Sequence, residues 1–207
     1  MSISETKASD VLAALDRDGY VVLERVVDDA NVAAMRSAVD VLLEIDRRDL
    51  TKKHGGTLHL DVIGAGDVFA PAWSSPRVLA AVAHVLGPDF QVSAAGFRGP
   101  RSGYGAQALH ADDVATGAGD PYRVATAIVP LVDFTERNGA TRVVPGSHRE
   151  PLRDASTEPG RPHPRERVVT ARAGDAIVFN GHLWHSGTRN SADERRDALQ
   201  ISFRRRA

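Results

Sequence analysis

The feature of this sequence that most restricts its fold is a change of pattern at Gly87. Beyond that glycine, apolar residues occur in short runs separated by glycine, proline and asparagine, without helical spacing. Such runs are typical of β-strands, and seven of them at short intervals favour a sandwich or jelly roll. The seven runs are FQVSAAGFR, YRVATAIVPLVDF, ATRVV, ERVVTARA, DAIVFN, LWHSGT and DALQISFRR.

The part of the chain before Gly87 shows a helical pattern instead. The stretch SDVLAALDRDG predicts a helix that begins at Ser9 or Asp10 and ends at Gly19, and the following YVVLERVV predicts a short strand. Apolar residues three and four apart predict a longer helix in DDANVAAMRSAVDVLLEIDRRD, and SPRVLAAVAHVLG predicts another. Helices first and strands afterwards predict an α+β fold, mainly β, in which N-terminal helices buttress a β-barrel.

Length and composition favour a single domain. A chain of 207 residues that is 42% hydrophobic and 26% charged is long enough to bury one substantial core. We therefore expect one domain over 1–207, with helical support and the first strand in 1–90 and the barrel core in 91–207. The stretch 149–166 is rich in proline and charge, which predicts a long surface loop, either a lid over a site or a plain mobile insertion.

Charge and hydropathy exclude several kinds of partner. A formal net charge of −1 lacks the basic excess of a nucleic-acid binder. No run of about 18 apolar residues is present, so we expect no membrane association and a cytoplasmic protein. The chain has no cysteine, so a metal site here would use nitrogen and oxygen ligands. The sequence leaves the oligomeric state open.

The stretch ALHADD offers such ligands. A histidine and a carboxylate two positions apart on an extended segment project to the same side, as His110 and Asp112 would, whereas Asp113 would point away. One distant histidine would complete a set of two histidines and one carboxylate, which leaves positions open on a non-heme Fe(II) ion. His182 and His185 compete for that role, and being three residues apart in an extended run they face opposite sides.

Five stretches in this order resemble the phytanoyl-CoA dioxygenase family of Fe(II)/2-oxoglutarate oxygenases. They are DGYVVLERVV, FRGPRSGYGAQALHADD, VPLVDFTERNGATRVVPGSHR, GDAIVFNGHLWHSGTRN and RRDALQISF, which together extend over most of the chain. The resemblance implies a double-stranded β-helix, also called a jelly roll or cupin-like barrel. It also implies that His110, Asp112 and His185 hold Fe(II), with 2-oxoglutarate and O₂ as cosubstrates.

The same resemblance assigns residues to the cosubstrate. Family members carry a basic residue eleven positions beyond the distal histidine that binds the far carboxylate of 2-oxoglutarate, and this position is Arg196. Strand alternation alone does not decide between Arg195 and Arg196. Gln91 resembles a cosubstrate-contacting position of some members. A hydroxyl near the distal histidine often assists, which points to Ser186, although this chain has HSG where many members have HGS.

Other polar residues have structural interpretations. PGSH around His148 predicts a turn, as does Asn138-Gly139. Arg98 and Arg101 lie where the family often has a basic residue near the mouth of the site. Two interpretations are open for them, contact with an anionic substrate or ordinary solvation of a loop. Four further histidines match no motif and are interpreted as surface or structural residues: His54, His59, His84 and His163.

The implied reaction is hydroxylation of a C–H bond, coupled to oxidative decarboxylation of 2-oxoglutarate to succinate and CO₂. Asp112 favours this outcome over halogenation, because related halogenases replace the carboxylate with a small residue. We expect a small-molecule substrate, such as a metabolite or a natural-product intermediate. Two alternatives are a metal-dependent isomerase or hydrolase with a cupin-like barrel, and a noncatalytic jelly-roll binding module.

Overall fold

The computed structural model describes residues 3–45, 56–113, 121–151 and 158–206. This part of the chain contains four α-helices and nine β-strands. The helices are α1 (Ile3–Asp18), α2 (Asp29–Ile45), α3 (Pro71–Ser74) and α4 (Pro76–Leu86). The strands are β1 (Tyr20–Leu23), β2 (Thr57–Asp61), β3 (Phe90–Pro100), β4 (Val124–Pro130), β5 (Thr141–Val143), β6 (Arg167–Val168), β7 (Ala176–Asn180), β8 (His185–Gly187) and β9 (Ala198–Arg205).

The strands form two antiparallel sheets. The large sheet has the order β1-β7-β4-β9-β3-β2, and the small sheet has the order β6-β5-β8. Each of the seven predicted runs contains a strand, whereas β2 was not predicted. Among the described residues the two sheets remain separate, so closure of the predicted barrel is not detected there. The fold is a mixed α/β one with mostly antiparallel sheet. Both edge strands of the large sheet, β1 and β2, come from the segment before residue 90.

Strands β4 and β7 in the interior of the large sheet are buried on both faces. On one face, Ala127, Val129 and Ile201 belong to a core that includes residues of α2 and α4. On the other face, Ile177 shares a second core with Val143 of the small sheet. A sheet covered on both faces needs apolar residues at successive positions. This explains why β4 and β7 are apolar at every position except Thr126 and Asn180, without polar alternation.

The helix boundaries agree with the sequence in part. Helix α2 buries the predicted residues Val32, Met35 and Val39. Helix α1 begins at Ile3, so the predicted start at Ser9 or Asp10 is wrong. A capping residue starts a helix only where the preceding backbone leaves the helical conformation, and the upstream residues contain no glycine or proline to cause this. Gly19, with φ of 81°, ends the helix as predicted.

The predicted surface loop over 149–166 lies partly outside the described residues, as does His54. In the described part, Arg165 forms an ion pair of 2.7 Å with Glu150. None of its described residues lines the cavity beside the predicted metal ligands, and whether the loop acts as a lid stays a prediction. Within the described residues, no helix has the length and apolar character needed to cross a bilayer.

Candidate metal centre and cosubstrate cavity

Two of the predicted ligands are brought together by backbone pairing. The N–H of His110 donates to the carbonyl of His185 at 3.0 Å, and the N–H of His185 donates to the carbonyl of His110 at 2.8 Å. The two imidazole rings lie 4.4 Å apart between centroids. Asp112 completes the group, since one ligand atom from each of the three residues lies within 4.8 Å of the others. Residues 75 positions apart in sequence therefore present their donors to one point.

Both histidines present the same ring nitrogen to that point. The Nδ1 atom of His110 lies 2.9 Å from the carbonyl oxygen of Ala108, and Nδ1 of His185 lies 2.9 Å from that of Leu183. A carbonyl only accepts, so each Nδ1 carries the hydrogen and each Nε2 keeps a free lone pair. Burial lowers the pKa of His185, while Asp112 acts against this. A neutral imidazole is the form that binds a metal.

The carboxylate of Asp112 is oriented by a hydroxyl on β4. Oγ1 of Thr126 donates to Oδ2 of Asp112 at 2.6 Å, and Oδ1 lies 3.6 Å from Nε2 of His185. Thr126 is fully buried. The sequence reasoning missed it. A usable signal was present, because Thr126 is the one hydroxyl residue in the otherwise apolar strand VATAIVP.

The competing pair lies on the other side of the chain. Asp113 accepts two hydrogen bonds from Arg123, at 3.0 and 2.7 Å, and its Oδ2 lies 3.6 Å from Nε2 of His182. The two aspartates and the two histidines therefore have different surroundings, as predicted, but the cause is not strand alternation, because residues 112–113 form a bend and residues 181–182 form a turn. Two nitrogens and one carboxylate form the donor set on the near side, and they fit the facial arrangement used by non-heme Fe(II).

A cavity of about 330 Å³ opens beside this group. His110, His185 and Arg196 are part of its wall. Ala198 and Gln200 also line it, whereas Leu199, Ile201 and Phe203 pack in the core on the helical side of the large sheet. The face of β9 that lines the cavity is therefore the one that carries Ala198 and Gln200, on the same side as Arg196.

Arg196 is a buried cation for which the described residues provide no counter-ion. Its guanidinium carbon lies 4.5 Å from the centre of the Phe134 ring, and its Nε has no hydrogen-bond partner. Burial lowers the pKa of Arg196 to about 10, although Asp197 acts in the opposite direction. The carboxylate of Asp197 is instead bound by Arg195 through Nε and Nη2. No described carboxylate forms an ion pair with Arg196, and such an arrangement is costly unless an anionic ligand enters.

Comparison with known proteins assigns this site to a family. The family model described as phytanoyl-CoA dioxygenase (PhyH) matches residues 15–198. The chain belongs to the PhyH family. Together with the His-Asp-His group, this membership makes it an Fe(II)/2-oxoglutarate-dependent dioxygenase.

A curated relative agrees with the PhyH assignment, and two solved structures share the fold. The dioxygenase cdmA of Talaromyces verruculosus is 27% identical over 219 residues, which cover 96% of this chain and 73% of the relative. The epimerase SnoN from nogalamycin biosynthesis, dependent on α-ketoglutarate, has a TM-score of 0.79 at 23% identity over 97% of this chain and 84% of its own. HygX from Streptomyces hygroscopicus, with nickel and 2-oxoglutarate bound, has a TM-score of 0.77 at 21% identity over 95% of this chain and 86% of its own.

One predicted PhyH cosubstrate residue lies elsewhere. Gln91 is exposed at the start of β3, where it pairs with Arg204. The cavity is reached by the opposite end of that strand, at Arg98 and Pro100, roughly 23–30 Å away at the rise of an extended chain. The structure therefore does not bring Gln91 to the site. The glutamines in the cavity wall are Gln107 and Gln200.

Ser186 is part of the cavity wall, but its hydroxyl is already engaged. Its Oγ accepts a hydrogen bond of 2.7 Å from Nε of Arg142. Alternation along β8 places its side chain opposite to that of His185. The bond from Arg142 leaves the hydroxyl hydrogen of Ser186 free to donate, so a contact between Ser186 and the cosubstrate stays a prediction.

The remaining histidines have different surroundings. His148 is buried in a short 3-10 helix, where Oγ of the adjacent Ser147 accepts a hydrogen bond from the backbone N–H of Trp184. His84 pairs with Asp16 at 2.8 Å, and the ring of His163 lies 5.9 Å from that of Trp184. His59 is unlike these, because it lines the cavity together with its cross-strand partner Arg98. Arg101 is exposed outside the cavity.

Proposed function

We propose that His110, Asp112 and His185 bind Fe(II), that Arg196 binds 2-oxoglutarate, and that the enzyme hydroxylates a C–H bond of a small metabolite or natural product. The observation that carries this proposal is the buried Arg196, which has no ion-pair partner among the described residues and lies in the same cavity as the two histidines. A guanidinium pairs with a carboxylate through two parallel hydrogen bonds. It therefore suits the end of 2-oxoglutarate that does not face the metal.

The charges of the buried groups support the same cosubstrate. Fe(II) brings two positive charges and Arg196 brings one. Asp112 supplies one negative charge, and 2-oxoglutarate supplies the two that are still needed. Charges removed from water are tolerated when they are balanced within the site. A ligand with a single carboxylate would leave one buried positive charge without a partner.

Bound iron supplies the chemistry that uses O₂ and oxidatively decarboxylates 2-oxoglutarate to succinate and CO₂. The residues of this chain do the positioning. Hydrogen bonds hold both imidazoles in one tautomer, and Thr126 holds the carboxylate of Asp112. Two sheets with an apolar core between them surround the site and limit the access of water. We interpret these sheets as the two halves of a double-stranded β-helix.

Structural neighbours support a small-molecule substrate. SnoN has been solved with nogalamycin RO, and HygX has been solved with hygromycin B. A cavity of about 330 Å³ beside the metal group accommodates part of such a compound together with the cosubstrate. Neighbours named epimerase and carbocyclase share this fold, so the fold does not specify the reaction. Hydroxylation is proposed because the two histidines and the carboxylate of the metal group are all present. The cytoplasmic location and the single domain over 1–207 remain predictions.

The test is an anaerobic titration of the metal-free protein with Fe(II) and then 2-oxoglutarate, followed by visible absorption. A chelate of the keto acid on ferrous iron produces a weak charge-transfer band, which we expect in the wild type and in His182→Ala. We expect no band in His185→Ala. A band of undiminished intensity in His185→Ala would refute the ligand assignment. Metal binding without any band on addition of 2-oxoglutarate would favour the isomerase or hydrolase alternative.

A further inference from the structure

A second buried arginine lies behind the metal centre. The side chain of Arg142, on β5, is 3% exposed. In contrast to Arg196, its charge is compensated, because Nη1 donates to Oε2 of Glu166 at 2.7 Å. The same nitrogen donates to the carbonyl of Arg161 at 2.8 Å. Arg142 therefore fastens the segment 158–166 to the small sheet.

The other nitrogens of Arg142 contact both segments that carry the metal-binding histidines. Nε donates to Oγ of Ser186 at 2.7 Å, and Ser186 directly follows His185. Nη2 donates to the carbonyl of Gln107 at 3.4 Å, three residues before His110. Gln107 also accepts a 2.9 Å hydrogen bond from the N–H of Gly187 through its side chain. One planar guanidinium thus links the backbone neighbourhoods of the two histidines.

Arg142 does not itself belong to the cosubstrate cavity. It is the register partner of Ser186 on the adjacent strand, while Val143 is the register partner of His185. Val143 packs in the core between the two sheets, so Arg142 and Ser186 lie on the other face of the small sheet. Any effect of Arg142 on the metal must therefore pass through the residues it holds.

We propose that Arg142 is a positioning residue that fixes the spacing of His110 and His185 through Ser186 and Gln107. This inference depends on the proposed metal site. A guanidinium suits the role because its donors point in fixed, coplanar directions toward several acceptors at once. A lysine ammonium is a single point of charge and cannot span Glu166, Ser186 and Gln107 together. The arrangement also gives the Ser186 hydroxyl a role as the acceptor for Nε of Arg142.

The first test measures the binding of Co(II) alone to the metal-free protein, with its visible absorption spectrum as a report of ligand geometry. We expect Arg142→Gln and Arg142→Lys to bind Co(II) about 10- to 100-fold more weakly, with an altered spectrum, as is typical when a group supporting metal ligands is removed. Arg165→Gln is the matched control, because Arg165 lies in the same segment as Glu166. This change breaks the ion pair with Glu150 but removes no contact with the segments that carry His110 and His185. Its Co(II) affinity and spectrum should equal those of the wild type.

A double-mutant cycle with Ser186→Ala tests the route of the effect. If Arg142 acts through Ser186, the loss of Co(II) affinity in the double variant is smaller than the two single losses combined. Additive losses, or an unchanged affinity in folded Arg142→Gln, would overturn the proposal. Should both Arg142 variants fail to fold, Ser186→Ala alone decides, since it removes one bond from a folded scaffold: weaker Co(II) binding supports the proposal, and unchanged binding overturns it. Failure of the wild type to bind Co(II) would instead contradict the proposed metal site.

Discussion

Asp112 and Asp113 are adjacent in sequence, but each faces a different histidine. Oδ1 of Asp112 lies 3.6 Å from Nε2 of His185, and Oδ2 of Asp113 lies 3.6 Å from Nε2 of His182. The first pair adjoins His110, whereas Asp113 is held by two hydrogen bonds from Arg123. Two similar His–Asp pairs therefore lie on opposite sides of one segment, and His110 provides a third ligand on one side.

This relationship predicts different effects for two neighbouring substitutions. Asp112→Asn should abolish the absorption band of Fe(II) with 2-oxoglutarate, because the site loses its only described carboxylate ligand. Asp113→Asn should retain the band. It weakens the pair with Arg123, whose side chain is 44% exposed, so we expect a stability loss on the order of 1 kcal/mol or less. Equal loss of the band in both variants would contradict the assignment.

Thr126 provides a test of how the carboxylate is oriented. Thr126→Val keeps the shape of the side chain but removes the hydrogen bond to Asp112. We expect Fe(II) affinity to fall about 10- to 100-fold, as for other groups that orient metal ligands. Thr126→Ser is the control, because it keeps the hydroxyl and should keep most of the affinity. Anaerobic Fe(II) titration measures both, and equal affinities in the two variants would remove Thr126 from the site.

Arg196 should affect stability and ligand binding in opposite directions. In the ligand-free protein the described residues provide no counter-ion for its buried charge, so Arg196→Met should raise the free energy of unfolding, by about 1–4 kcal/mol. The same change should weaken 2-oxoglutarate binding by about 2–5 kcal/mol, because a charge-assisted pair is lost. Urea unfolding and calorimetric titration in the presence of Fe(II) measure the two quantities.

The matched control for this prediction is Arg195→Met. Arg195 binds the buried carboxylate of Asp197, so its loss leaves an unpaired anion and should lower the free energy of unfolding. A stabilised Arg195 variant, or an Arg196→Met protein that binds 2-oxoglutarate as the wild type does, would contradict this description of the two arginines.

His148 predicts part of the pH dependence of stability. Its pKa is lowered by burial and by Arg149, against the opposing effect of Asp16. The unfolded chain therefore takes up a proton near the ordinary histidine pKa of about 6.5, at a pH where the folded protein does not. The contribution to stability is complete above that pH and is lost as the pH falls below it. In metal-free protein, His148→Gln should make the free energy of unfolding less dependent on pH between roughly 5 and 7, by up to about 1.4 kcal/mol per pH unit. An unchanged pH dependence would contradict this.

Much of the site was predictable from local sequence, although the backbone there is not the extended strand that the prediction assumed, because residues 112–113 form a bend and residues 181–182 form a turn. The spacing of His110 and Asp112 predicted a shared side, and the spacing of His182 and His185 predicted opposite sides. The observed positions agree with both. Choosing His185 over His182, and Arg196 over Arg195, required the family resemblance, because alternation does not say which face of a strand is interior.

The sequence alone determined the helical N-terminal part of the chain and the seven β-rich runs. It also determined that Asp112 and Asp113, and likewise His182 and His185, have different surroundings. Only the tertiary structure decided which of those residues meet. It placed Gln91 at the distant end of β3, brought Thr126 to Asp112, and joined Arg142 to Ser186 across two strands. The physical reason is that periodicity depends on neighbours along the chain, whereas contacts between strands depend on the register and packing of the whole sheet.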